Sequence, residues 1–303
     1  MTHARTLHFK ELAILTAVLG WLIFMMSPYA HAGDAKAERI ITIGGSITEI
    51  VFALGEDDRL VGRDTTSTYP PVANALPDIG YIRALSPESA LSVNPDMIIA
   101  LEGYGPPEAA AVLRESGVPL AEIPEGYDGE AVLRKIRAVA RVLGKEKEGE
   151  KLAAIVENDL AKARERADTI NNHKKVLFVM TITDGRIMVA GTNTHADGIV
   201  NMAGGINPVS SIEGYKPVTN EAIIKAAPDV ILMMDRGGDH AASDEELFAH
   251  PAIALTPAGQ NRAVIRMDGL YILGFGPRTA QAARELGEYL YAGNAASKTV
   301  EAN

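Results

Sequence analysis

Apolar or small residues at Leu152, Val156, Leu160, Ala163, Ala167 and Ile170 recur at intervals of three and four, with Lys, Glu and Arg between them. That spacing places one apolar stripe along a helix over 147–170, and Asn171-Asn172-His173 ends it. Elsewhere the apolar residues come in short unbroken runs: Met97-Ile98-Ile99, Val176 to Met180 and Val230-Ile231-Leu232. Such runs predict strands covered on both faces, the signature of a sheet with helices packed above and below.

The segments on either side of the long helix share a plan. Ser86-Pro87-Glu88 opens a stretch that continues through Leu91 to Pro95-Asp96-Met97-Ile98, and Thr219-Asn220-Glu221 opens one that continues through Ile224 to Pro228-Asp229-Val230-Ile231. The spacing of the two is identical. Each reads as a hydroxyl N-cap, a short helix, a proline stop and a buried strand. A second echo precedes each copy. Ile40 to Gly55 and Arg186 to Gly204 both read as strand, glycine-bearing turn, helix and a closing small-residue pair. The prediction is an α/β protein of two Rossmann-like β/α lobes with largely parallel sheets. An N-terminal lobe spans 33–145, a connecting helix 146–172 and a C-terminal lobe 173–291, with a disordered tail over 292–303. Two such lobes joined by one helix predict a cleft between them, where small-molecule sites preferentially lie.

The N-terminus reads differently. After Arg5 and Lys10 comes the run Leu12 to Met26, then Ser27-Pro28 and the small-residue pattern Ala30-His31-Ala32. This predicts a signal peptide over 1–32, cleaved after Ala32, because the run is short for a membrane span of about 20 residues. With no cysteine in the chain, a lipidated N-terminal cysteine is excluded, as are thiolate metal sites and Cys nucleophiles. Export without a lipid anchor points to the periplasm of a double-membraned bacterium. The net charge of -10 leaves no basic footprint for nucleic acid.

Candidate chemistry is sparse. The sequence carries no phosphate-binding loop, no H-E-x-x-H, no G-x-S-x-G and no G-x-G-x-x-G, which argues against a hydrolase or reductase built on the same layers. His173, His195, His240 and His250 are scattered, unlike a three-imidazole metal site. One loop stands out: Thr65-Thr66-Ser67-Thr68-Tyr69-Pro70-Pro71 follows the strand-like Leu60-Val61-Gly62, so it belongs at the C-terminal edge of the first sheet, facing the cleft. A tyrosine there can stack on a ligand, donate a hydrogen bond or ligate ferric iron.

This loop, with Gly80 to Ser86, Glu102 to Pro107 and Leu273-Gly274-Phe275-Gly276-Pro277-Arg278-Thr279, resembles the periplasmic haem-binding proteins of bacterial haem ABC importers. These fall within the long-helix-linked class that also carries siderophores and cobalamin. The resemblance runs over nearly the whole chain after 32. It implies haem as the transported ligand, no catalysis, a monomer, an inner-membrane ABC permease dimer with its ATPase as partner, and an outer-membrane haem receptor upstream. It further implies that Tyr69 is the axial ligand of the haem iron. A free phenol, with a pKa near 10, gives up its proton to hard ferric iron. Arg83 and Arg278, and less directly Arg236, are candidates for favouring the phenolate or pairing the haem propionates. His195 is a candidate second iron ligand. Glu88 and Glu221, one per lobe, match the acidic pair with which the class engages permease arginines. A ferric siderophore or a corrinoid on the same scaffold is the nearest alternative.

Overall fold

The computed structural model describes residues 36–235, 242–291 and 298–300, and residues from Ala37 onward form one compact unit. In chain order the strands are β1 (Ile40–Ile43), β2 (Leu60–Arg63), β3 (Met97–Leu101), β4 (Leu120–Ile123), β5 (Val176–Thr183), β6 (Arg186–Ala190), β7 (Tyr215–Val218), β8 (Val230–Asp235), β9 (Val264–Asp268) and β10 (Lys298–Val300). The helices are α1 (Gly45–Ala53), α2 (Pro87–Ser92), α3 (Pro107–Glu115), α4 (Gly129–Leu143), α5 (Glu146–Asp168), α6 (His195–Met202), α7 (Asn220–Ala226), α8 (Asp244–Ala249), α9 (Pro251–Ala254), α10 (Pro257–Gln260), α11 (Gly269–Leu273) and α12 (Thr279–Tyr291).

The strands form two sheets, one on each side of α5 in the sequence: β2-β1-β3-β4, and β10-β9-β8-β5-β6-β7. The first sheet is parallel throughout. The second is parallel from β10 through β9 and β8 to β5, and antiparallel beyond it. Asp184 and Gly185 both take positive φ, and this two-residue turn folds β6 back antiparallel on β5, with β7 antiparallel to β6. Lys298–Val300 pair in parallel with β9, where the sequence reading expects an unstructured tail; the open edge of β9 supplies the template. The rest of the tail, the N-terminal 35 residues with the expected signal peptide, and Arg236 lie outside the described residues.

The unbroken apolar runs are explained by burial on both faces. In β5, Val176 and Phe178 enter the main core, while Leu177 and Val179 point to a second core on the opposite face. Val230 and Leu232 of β8 alternate with Ile231 and Met233 in the same way. The main core is continuous from Ile40 and Ile98 of the first sheet, through Ile136 and Val139 of α4, to Val176 and Leu286 on the far side of α5. The two lobes therefore share one hydrophobic interior beneath their junction.

The predicted repeat is built alike in both halves. Ser86 Oγ accepts from Ser89 N at 3.3 Å, and Thr219 Oγ1 accepts from Ala222 N at 3.2 Å. Each short helix is followed by a residue of positive φ, Asn94 or Ala227. The aspartate of each Pro-Asp pair then ties down the start of the neighbouring strand. Asp96 accepts from Glu38 N and Arg39 N ahead of β1, and Asp229 accepts from Lys175 N ahead of β5. No described helix is long and apolar enough to cross a membrane.

Candidate functional site

The Tyr69 loop is set by a buried carboxylate. Asp64, fully buried at the end of β2, accepts from Gly44 N at 2.9 Å, Thr66 N at 3.0 Å, Thr66 Oγ1 at 2.6 Å and Ser67 Oγ at 2.7 Å. Ser67 and Thr48 hydroxyls are 2.6 Å apart, and Thr48 and Thr42 hydroxyls 2.7 Å. The hydroxyl run that stands out in the sequence is thus a clamp. It fastens the loop to β1 and α1 and delivers Tyr69, half-buried and joined to Pro70 by a cis peptide bond, to the C-terminal edge of the first sheet.

Across from it stands Arg278, at the end of the turn between α11 and α12 in the second lobe. Its Cζ is 3.3 Å from the centroid of the Tyr69 ring and 5.1 Å from that of Tyr271. Two of the residues singled out in the sequence, more than two hundred positions apart, therefore meet at the seam between the lobes. The guanidinium is held by Glu49 of α1. Arg278 Nε donates to Oε1 at 3.1 Å, Nη2 to Oε2 at 3.2 Å, and the backbone N of the same residue to Oε1 at 3.2 Å. Glu49 is 5% exposed. Burial pushes its carboxyl above the ordinary value of 4.5, with Arg278 pulling the other way.

A second charged group crosses the seam nearby. Lys135, whose side chain is wholly buried on α4, donates to Glu125 Oε1 at 2.8 Å, to Ser46 Oγ at 3.3 Å and to the carbonyl of Gly274 in the second lobe at 3.4 Å. Burial lowers its pKa, and Glu125 offsets part of that. For Glu125, burial raises the pKa, but His195 and Lys135 more than reverse it and hold the carboxyl at about 2. His195 opens α6. Its Nε2 is buried 3.3 Å from Glu125 Oε1. Its ring lies edge-on between Tyr127 and Phe275, each 4.9 Å away.

The remaining candidates lie further out. Arg83 is exposed, donates through Nη1 to the carbonyl of Gly103, and is near enough to Tyr215 of the second lobe to act on its phenol. Burial nevertheless pushes Tyr215 up to about 12. Glu88 and Glu221 sit exposed in the first turns of α2 and α7, at matching places in the repeat. Glu88 accepts from Ser86 Oγ at 2.7 Å, which lowers its pKa.

Glu49, Glu125 and Lys135 are absent from the candidates read in the sequence. A signal was there for two of them. Glu49 is the one charge in Ile47 to Phe52, where only Thr48 is otherwise polar, and Lys135 falls on the apolar face of α4 with Val132, Ile136 and Val139. A charge at such a position is retained when something in the fold meets it.

The periplasmic binding protein family model matches residues 40–270, and the chain belongs to that family. It is accordingly a binding component of a transport system and not an enzyme. Among solved structures it is similar to the periplasmic haem-binding protein RhuT from Roseiflexus sp. RS-1, with 44% identity, 84% of this chain and 98% of that one covered, and a TM-score of 0.80. Among curated relatives it is 27% identical to an uncharacterised ABC transporter substrate-binding lipoprotein, YvrC, of Bacillus subtilis (strain 168), over 84% of this chain and 81% of that one. It is also 26% identical to a vitamin B12-binding protein of Vibrio parahaemolyticus, over 84% and 90%. Proteins named for binding haem and for binding vitamin B12 are thus both among its relatives.

Proposed function

We propose that this protein is an exported periplasmic carrier that binds ferric haem between its lobes through the Tyr69 phenolate and hands it to an ABC importer. The observation that carries the reading is the setting of Tyr69. It is half-buried at the C-terminal edge of the first sheet, with a guanidinium from the other lobe flat on its ring. A cation over the ring face holds the ring in place, and a hard anionic oxygen suits ferric iron. Similarity to RhuT at 44% identity supports haem as the ligand. A siderophore brings its own oxygen ligands to iron and makes no use of such a phenolate.

Within this reading Tyr69 is the protein's iron ligand. His195 belongs to the seam, since its Nε2 is buried beside Glu125 and its ring is boxed by two others. Arg83, exposed on the first lobe and near enough to Tyr215 to act on its phenol, would pair a propionate. Glu88 and Glu221, exposed and related by the internal repeat, suit a dimeric permease that presents one cationic site to each lobe. The relative named as an ABC transporter substrate-binding lipoprotein supports that partner.

A corrinoid is the second reading, favoured by the vitamin B12-binding relative. Titration separates the two. Ferric haem is expected to give a stoichiometric Soret shift with a phenolate-to-iron charge-transfer band, lost in Tyr69→Ala, while cobalamin leaves the protein's melting temperature unmoved. A Tyr69→Ala spectrum identical to that of the parent would remove the iron-ligand assignment.

A further inference from the structure

We infer that Glu49 is a positioning residue for ligand capture: it holds Arg278 flat against Tyr69 across the lobe seam, so that the phenol oxygen is aimed before the ligand arrives. This inference rests on the haem reading of the same site.

Glu49 is placed for that task. It sits on a helix whose residues from Gly45 to Val51 are all buried, where an ionised carboxylate is costly unless met by a partner. Arg278 meets it with three donors, two from the guanidinium edge and one from the backbone. The backbone bond fixes where the residue starts, and the fork fixes how its plane is turned. The approach also depends on Gly276. A Cβ there would stand 3.3 Å from Glu49 Cδ and Oε2, so a side chain at this position would press on the carboxylate.

With its edge engaged by Glu49, Arg278 has its flat face left to offer, and that face covers Tyr69 at 3.3 Å. The consequence is separate from the expectation that Arg278 pairs a propionate, since Nη1 takes no part in the bonds to Glu49. The guanidinium restricts the swing of the Tyr69 ring, while the Asp64 clamp restricts its backbone. The ordering that iron ligation demands of the phenol is then already met in the ligand-free fold, which lowers the cost of binding.

The experiment compares the parent, Glu49→Gln, Arg278→Met and the double variant, each loaded with ferric haem and mixed with an excess of a haem-scavenging apoprotein. Glu49→Gln is expected to release haem about tenfold faster, the equivalent of losing one stacked cation, and to shift its phenolate-to-iron charge-transfer band. Because Glu49 acts through Arg278, the double variant is expected to release haem no faster than Arg278→Met alone. A parent-like release rate and an unmoved band in Glu49→Gln would overturn the inference, as would effects that multiply in the double variant. Far-UV circular dichroism checks folding. Should Glu49→Gln not fold, Glu49→Asp, which keeps the charge but falls short of Arg278, is read by the same criteria. Failure of the haem reading would show instead in the parent, as ferric haem giving no charge-transfer band, and would take this inference with it.

Discussion

Two charged side chains, Glu49 and Lys135, are buried at the junction of the lobes with Glu125 half-buried beside them, and each is met across it or beside it. Breaking one member of such a set is worse than removing the set. Lys135→Met leaves the half-buried Glu125 with His195 as its partner and is expected to cost about 1–3 kcal/mol; adding Glu125→Gln should recover much of that, as read from urea unfolding midpoints. Close approach matters as much as charge. A Cβ on Gly198 would lie 2.0 Å from the backbone oxygen of Tyr127, so Gly198→Ala must push α6 away from the Tyr127 loop. An overpacking loss of about 1–3 kcal/mol is expected in thermal or denaturant unfolding.

At the scale of elements, the duplicated cap, helix and Pro-Asp strand is the unit from which both lobes are made. The caps Ser86 and Thr219 make the same bond in the same place. Ser86→Ala and Thr219→Ala are therefore expected to destabilise by similar amounts, about 1 kcal/mol each, measured by denaturant titration. The exposed carboxylates two residues on are held at most by a surface bond, Glu88 to the Ser86 hydroxyl. Glu88→Ala with Glu221→Ala should leave haem affinity and melting temperature unchanged while uptake and stimulation of the importer's ATPase fall. The repeat was fully legible in the residues, because a cap, a proline and an apolar run act over a few positions. The antiparallel β6 and β7 were not: a strand's neighbour and direction depend on which edge is open, and only the Asp184-Gly185 turn hinted at the reversal.

For the molecule as a whole, the seam governs acid stability in two opposed ways. Glu125 is held at about 2, below the ordinary 4.5. In that interval the unfolded chain binds the extra proton, so the stability it contributes is complete above about pH 4.5 and is lost as pH falls toward 2. Glu49 is raised above 4.5 by burial, so the folded state keeps its proton longer and stability falls as pH rises past 4.5. Melting temperatures between about pH 2.5 and 6 should therefore lose their low-pH slope in Glu125→Gln, and gain on the upper side only if Glu49→Gln spares the seam. A continuous core running from Ile40 to Leu286 makes these charges a seam within one interior rather than a bridge between independent domains.

Periodicity alone settled the layered α/β architecture, the long helix and the twofold plan, because hydrophobic spacing is a local property that survives in any packing. It also brought Tyr69 forward, through the polar run that precedes it. What required the folded chain was company: that Arg278 stacks on Tyr69, that Glu49 stands behind Arg278, and that His195 and Lys135 both meet Glu125. Those partners are separated by up to 229 positions along the chain. No sequence interval encodes such meetings; they follow from the way two sheets close over a shared apolar core and force the remaining charges between them to pair.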